Sequence, residues 1–227
     1  MLITAAAGVS SVALVLLGLY LYLSPQLPSV EMLQDVQFQV PLRVYTYDEK
    51  LLGEFGEAKR TPVKYEEIPP LLVKALISAE DDRFFEHPGV DYHGLLRAVF
   101  VFATTGEKQQ GGSTITMQVA RNFFLSREKP ITRKLNEILL SFKIERELTK
   151  EQILELYLNK IYFGNRAYGV ASAALTYYAK KLDELTLGEI AMIVGLPKAP
   201  SAYNPLVNAV RAKKRRNYVL GRMRSLG

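Results

Sequence analysis

The sequence predicts a mainly α-helical body that carries one short β-hairpin and follows a single membrane span. Three observations carry that expectation. Residues 2–23 hold no charged side chain and consist mostly of Leu, Val, Ala, Ile and Tyr. Residues 42–55 alternate apolar and polar around Asp48-Glu49-Lys50. From Pro69-Pro70 onward, apolar residues recur at i, i+3, i+4 and i+7, which is the spacing of one helix face.

At the helical rise, about 20 apolar residues cross a hydrocarbon core of roughly 30 Å, so residues 1–24 read as an uncleaved transmembrane anchor. A signal peptide has a shorter apolar region, a basic start and a small-residue cleavage site, and these are missing before Pro25. Tyr20 and Tyr22 suit the membrane interface. Flanking charge does not set the orientation, because no Lys or Arg precedes the span and the first to follow is Arg43. Residues 25–40, with Pro25 and Pro28 and little periodic pattern, read as a connector. Residues 41–227 read as one domain, long enough to bury a real core. Its first element is the hairpin of Leu42–Asp48 and Lys50–Phe55, bounded by turn residues. Helices follow near 70–82, 93–104, 113–123, 131–147, 149–162, 167–179, 186–195 and 207–225. The last pattern runs to the end of the chain, which gives the expectation of a piece of something longer.

The absence of cysteine excludes disulfides and thiolate metal sites. The net charge is +6, and Glu31 and Asp35 are the only charges in residues 1–40, so their removal lifts the remainder to +8. A basic body suits an anionic partner. Beside a bilayer that partner is lipid head groups or diphosphates rather than nucleic acid. The excess concentrates in residues 205–227, where Arg211, Lys213, Lys214, Arg215, Arg216, Arg222 and Arg224 meet no acid. No phosphate-binding glycine motif occurs, so no nucleotide cofactor is expected.

Four stretches fit together as one site. They are residues 80–87, 111–118, 133–137 and 156–164, and they supply two carboxylates, a glycine turn feeding a helix start, and a basic pair beside an acid. That inventory suits sugar transfer from a phosphate leaving group. On the first helix Leu72, Ala75, Leu76 and Ala79 form the core stripe, and Glu80 lies at its edge beside Leu76, Val73 and Ile77. Partial desolvation there raises a carboxyl from about 4.3 toward the range a general base needs. Alone, such a Glu is more often a hydrogen-bonded structural group, but Phe84 and Phe85 add apolar walls and His87-Pro88-Gly89 ends the helix beside it. Asp81, Asp82 and Arg83 read as solvated or helix-terminal. Gln110-Gly111-Gly112 precede a hydroxyl cap at Ser113-Thr114, with Gln118 one turn on, and free N–H groups at a helix start favour an anion. In the 131–147 helix, Leu135, Ile138, Leu139 and Phe142 form one apolar stripe. Arg133 and Glu137 lie opposite at i, i+4, ordinarily a solvent-facing pair worth a few tenths of a kcal/mol. Leu140 and Ile144 share that opposite side, so Glu137 is expected to face a cleft. The run from Leu95 to Ala103 is core by default. Ser126-x-x-Lys129 fits a penicillin-binding serine motif, but neither Ser-Asp-Asn nor Lys-Thr-Gly follows, so it reads as coincidence.

In order and spacing these stretches resemble the signature motifs of the peptidoglycan glycosyltransferases, the family 51 domain of class A penicillin-binding proteins and monofunctional transglycosylases. The likeness spans residues 41–225. It includes Glu151-Gln152-Ile153-Leu154-Glu155-Leu156-Tyr157-Leu158-Asn159-Lys160-Ile161-Tyr162-Phe163-Gly164 and Arg215-Arg216-Asn217-Tyr218-Val219-Leu220. Met117 and residues 195–201 resemble the 1a-type bifunctional members. The resemblance implies a lysozyme-like α fold with a small membrane-associated lobe, one N-terminal transmembrane helix, and a catalytic domain on the periplasmic or extracellular side of the cytoplasmic membrane. It implies Glu80 as general base on lipid II, with a growing lipid-linked glycan as donor, inversion at C1 and release of undecaprenyl diphosphate. Ser113, Thr114, Gln118, Arg121, Arg133 and Lys134 are the implied neutralisers of that leaving group. Asp81, Phe84, His87 and Asn122 fall at substrate-binding or site-shaping positions. Glu137 matches the second essential acid, and it either holds a divalent cation (Mg2+ or Mn2+) or orients the basic pair. His87 has too few partners for zinc. Moenomycin-type inhibitors and other cell wall synthesis proteins are implied partners, and the transpeptidase domain is expected to be absent from residues 1–227. A lysozyme-like lytic enzyme and a non-catalytic membrane-tethered scaffold are the rival readings.

Overall fold

The structure, a computed structural model, describes residues 14, 18, 21–39, 41–56, 59–106, 112–125 and 130–227. Most of the expected anchor lies outside these residues, and among the described residues no helix is long and apolar enough to cross a membrane. Ser126 and Lys129 also lie outside them.

Strand β1 (Leu42–Tyr45) pairs antiparallel with β2 (Leu51–Phe55), with Leu42 opposite Phe55 and a register shift between Val44 and Tyr45. The expected hairpin is therefore present. Its turn is held by Thr46, whose hydroxyl accepts the Lys50 N–H at 2.9 Å. A second, parallel pair joins β3 (Lys59–Arg60) to β4 (Ala167–Tyr168) and was not foreseen. Each of its strands is two residues long, too short for alternation to show in sequence.

Eight helices follow among the described residues. They are α1 (Pro70–Glu80), α2 (Tyr92–Thr105), α3 (Ile115–Phe124), α4 (Pro130–Glu147), α5 (Lys150–Lys160), α6 (Val170–Tyr178), α7 (Leu187–Gly195) and α8 (Ala209–Leu226). Their starts carry local chemistry. Thr114 accepts the Met117 N–H at α3, while at α5 Thr149 and Gln152 cap one another's backbone at 2.8 and 3.3 Å. Such reciprocal caps satisfy donors that the helix cannot.

Helix α3 packs on α4 and α5, and α8 closes the body by packing on α7 and α1. The core between them holds Leu72, Leu76, Ile115, Ile153, Leu154 and the fully buried rings of Phe84, Tyr157 and Phe163. The α1 stripe faces this core as its spacing predicts. Helix α4 differs, because its innermost face is the one carrying Glu137, Leu140, Ser141 and Ile144, all 3% exposed or less, whereas Leu135, Ile138, Leu139 and Phe142 are half-buried. A helix apolar on both sides does not reveal which side is central, and α3 and α5 take the narrower one.

The connector also departs from expectation. Val30 and Leu33 are buried in the main core, Leu33 on a 3-10 turn at Glu31–Leu33 and Val30 at its N-cap. Phe38 lies 6.3 Å from Phe123, and the Arg60 guanidinium sits 5.3 Å over the Phe38 ring. A single turn is too short to display a period, so the segment read as patternless.

The packing of α4 generates a test. Replacing Ile144 by Ala should cost about 2–5 kcal/mol of unfolding free energy, the range for a buried large-to-small change. Leu139→Ala should cost less than about half as much, measured by urea denaturation of the two variants side by side.

Candidate active site

Glu80 is the last residue of α1, and its side chain is 12% exposed. One carboxylate oxygen, Oε1, accepts from Arg215 Nη2 of α8 at 3.1 Å. The other, Oε2, accepts from Gln118 Nε2 of α3 at 3.3 Å. Burial pushes the Glu80 carboxyl above its ordinary value, and Arg215, Gln118, Lys198 and Arg121 oppose that rise in decreasing order. Desolvation outweighs the cations, which leaves a carboxylate more basic than a surface glutamate.

Glu80 opens onto a cleft of about 1000 Å³. Its lining carries Arg97, Arg121, Lys198, Arg211, Lys214, Arg215 and Arg222 against Glu80, Asp81, Asp82 and Asp91. The surplus is positive, as an anionic ligand requires. Ser113, Thr114 and Gln118 also line it, so the second stretch meets the first there.

Asp81 was expected to be solvated or helix-terminal. It is helix-terminal, with φ of −162° carrying the chain out of α1, but its side chain is 3% exposed. One oxygen accepts the Ile115 N–H at 2.9 Å, and the other lies 2.9 Å from His87 Nε2. Gly89 N–H donates to His87 Nδ1 at 3.2 Å, leaving Nε2–H for Asp81. Asp81 therefore ties the loop after α1 to the start of α3. Gly89 also accepts the Thr114 hydroxyl at 2.6 Å. Its φ of +98° favours glycine, and a Cβ there would lie 2.9 Å from the Ser141 carbonyl oxygen. Asp82 pairs with Arg222 at 2.8 Å, and Arg83 pairs with Asp91.

Glu137 is buried, and its two oxygens face Arg133 Nε at 3.7 Å and Lys134 Nζ at 3.2 Å. Lys134 Nζ also donates to Ser113 Oγ at 2.7 Å, which links the basic pair to the cleft edge. The donor set suits a cation holder poorly, because a divalent ion at Glu137 would sit against two fixed positive charges. Among the described residues no three acids or histidines gather as a metal centre.

Three of the residues expected at substrate-binding or site-shaping positions, Phe84, His87 and Asn122, lie outside the cleft lining. Phe84 is fully buried in the core and His87 is 7% exposed, and both lie outside the cleft lining. Lys150 explains why: its ammonium sits 4.4 Å over the Phe84 ring and donates to the His87 carbonyl at 2.7 Å and to Glu145 at 2.8 Å. Both residues hold the loop after α1 in shape. Asn122 is half-buried on α3 and also lies outside the lining. In the other direction, Arg215, Lys198, Tyr203 and Tyr218 were not anticipated as site residues. The acid-free basic run at 205–227 was the available signal for Arg215, but charge excess alone does not reveal which cation reaches Glu80.

The Transglycosylase family profile matches residues 48–224. The chain is 59% identical over 210 residues to Penicillin-binding protein 1A of Pseudomonas aeruginosa, covering 92% of this chain and 26% of that protein. It is 55% identical over 206 residues to Penicillin-binding protein 1A of Escherichia coli, covering 91% and 24%. A crystal structure of Penicillin-Binding Protein 1A from Haemophilus influenzae matches at 35% identity over 83% of this chain and 18% of its own, with a TM-score of 0.45. The chain thus spans about a quarter of the length of the curated relatives it matches. With the family profile running from the hairpin turn into the last turn of α8, through all four stretches that build the site, the chain belongs to the transglycosylase family.

Proposed function

We propose that the chain is a peptidoglycan glycosyltransferase that polymerises lipid II into glycan strands. The observation that carries this reading is Glu80, a buried and raised carboxyl opening onto a positively lined cleft of about 1000 Å³. Glu80 takes the proton from the 4-hydroxyl of the acceptor sugar. That oxygen attacks C1 of the lipid-linked donor with inversion, and the C1–oxygen bond to undecaprenyl diphosphate breaks. The logic is that of an inverting glycosidase, except that a diphosphate leaves as an anion and requires positive charge rather than a proton. Arg121 in the cleft, and Lys134 beside Ser113 at its edge, supply that charge.

Glu137 orients Arg133 and Lys134 in this reading, which its two close cations support, and no step passes through a metal. Residues 1–24 anchor the chain in the cytoplasmic membrane as a single span, with the domain of residues 41–227 on the periplasmic or extracellular side in a lysozyme-like arrangement. Moenomycin-type inhibitors would compete for the cleft, and other cell wall synthesis proteins would work beside it. Exposed Leu95 and Leu96 on α2, at 39% and 68%, suit contact with the bilayer surface from which the substrate comes.

Detergent-solubilised chain given labelled lipid II should make glycan ladders that vanish in Glu80→Gln, a loss of at least about 100-fold for a general base. Loss of glycan cleavage instead would identify a lytic enzyme, and loss of neither would identify a scaffold. The acid limb of kcat/KM should fall above the ordinary glutamate range, because the base must be deprotonated and burial raises its value. Replacing Leu95 and Leu96 by Ser should weaken turnover of full-length lipid more than of short-chain analogues, and equal losses would remove the bilayer contact from the mechanism.

A further inference from the structure

The stretch at 156–164 has no part in the chemistry proposed above, yet its Tyr157 stands one residue behind the base, against Gln118. Tyr157 lies in the body of α5 and is 1% exposed. Its hydroxyl donates to Gln118 Oε1 at 3.3 Å, and Gln118 Nε2 donates to Glu80 Oε2 at 3.3 Å. Elementary chemistry sets the direction of this chain. An ionised carboxylate only accepts, so Gln118 must turn its NH2 toward Glu80. Its carbonyl is then left for a donor, which the phenol is. Rotated by a half-turn, the amide would press its oxygen against the carboxylate and offer its NH2 to the phenol.

We infer that Tyr157 is a positioning residue, whose buried hydroxyl fixes the Gln118 amide so that an N–H donor holds one oxygen of Glu80 while Arg215 holds the other. Its benefit to turnover rests on the polymerase reading, whereas its effect on Glu80 does not. The groups facing Glu80 are Gln118 and Arg121 from α3, Tyr157 from α5, Arg215 from α8, and Lys198 from the 3-10 turn Leu196–Lys198. Burial holds the Tyr157 phenol well above its ordinary value, so it remains a donor throughout the working range. Gln118 carries no charge, so only its orientation decides whether it supports or opposes the carboxylate.

The test follows Glu80 through its carboxyl 13C resonance, assigned by its loss in Glu80→Gln and titrated with pH. Tyr157→Phe keeps the ring and removes the hydroxyl. Gln118→Leu removes the donor itself and serves as the second variant if the first folds poorly. The midpoint should move up in each, because the anion loses its Gln118 donor in one and that donor's fixed orientation in the other, and the double variant should move no further than Gln118→Leu alone. Lipid II polymerisation by Tyr157→Phe should fall about fivefold, the loss expected for one hydrogen bond, with the larger deficit on the acid side. A midpoint unmoved in Tyr157→Phe, or shifts that add in the double variant, would overturn the inference. A role in folding alone would lower the yield of active protein without moving the midpoint. If the midpoints shift as expected while the wild type makes no ladders, the positioning role stands and the polymerase reading falls.

Discussion

The arrangement turns on one carboxylate kept away from water. An ionised Glu80 at 12% exposure is unfavourable unless partners replace its hydration. Two elements supply them, Arg215 from α8 and Gln118 from α3, and a third, α5, backs Gln118 with Tyr157. Each of those helices must therefore be in register with α1. The same requirement accounts for the second tie between α8 and α1, where Arg222 donates to the Ser78 carbonyl at 3.1 Å and to Asp82 at 2.8 Å. A buried ion pair contributes little net stability, since desolvation offsets attraction, but removing one partner leaves the other stranded. The pair thus selects an arrangement more than it strengthens one.

A second buried acid obeys the same logic with a different outcome. Glu137 faces two cations on its own helix, and one of them reaches Ser113 at the head of α3. Its local partners stand three and four residues away, so α4 builds this unit without help from distant sequence. The site therefore joins a base assembled from across the chain to a charged clamp assembled within one helix.

That contrast explains what the sequence could reveal. The helices were legible because their apolar periods run for nine residues or more, and their observed bounds lie within three residues of the expected ones. The hairpin was legible through its alternation and turn. Glu80, Glu137 and the Ser113-Thr114 cap were legible because edge position, i, i+4 spacing and cap chemistry are local signals. Asp81 was legible as helix-terminal but not as buried, because the chain leaves the helix axis at that residue and helical geometry no longer says where its side chain goes. Arg215 was hidden among seven cations in an acid-free run, and its partner lies 135 positions earlier. Pairings of that separation, like the two-residue β3–β4 match, leave no periodic trace. The α4 face was ambiguous for another reason, since apolar residues on two sides satisfy either burial.

The separation between Glu80 and Arg215 has a consequence in time. A chain made from its N-terminus at about 5–20 residues per second needs roughly 7–27 s between the two positions. By the last third of that interval α1, α3 and α5 have all been made, while the carboxylate still lacks its cation. Completion of the base thus waits for α8, so a nascent chain that has folded α1, α3 and α5 has no finished site.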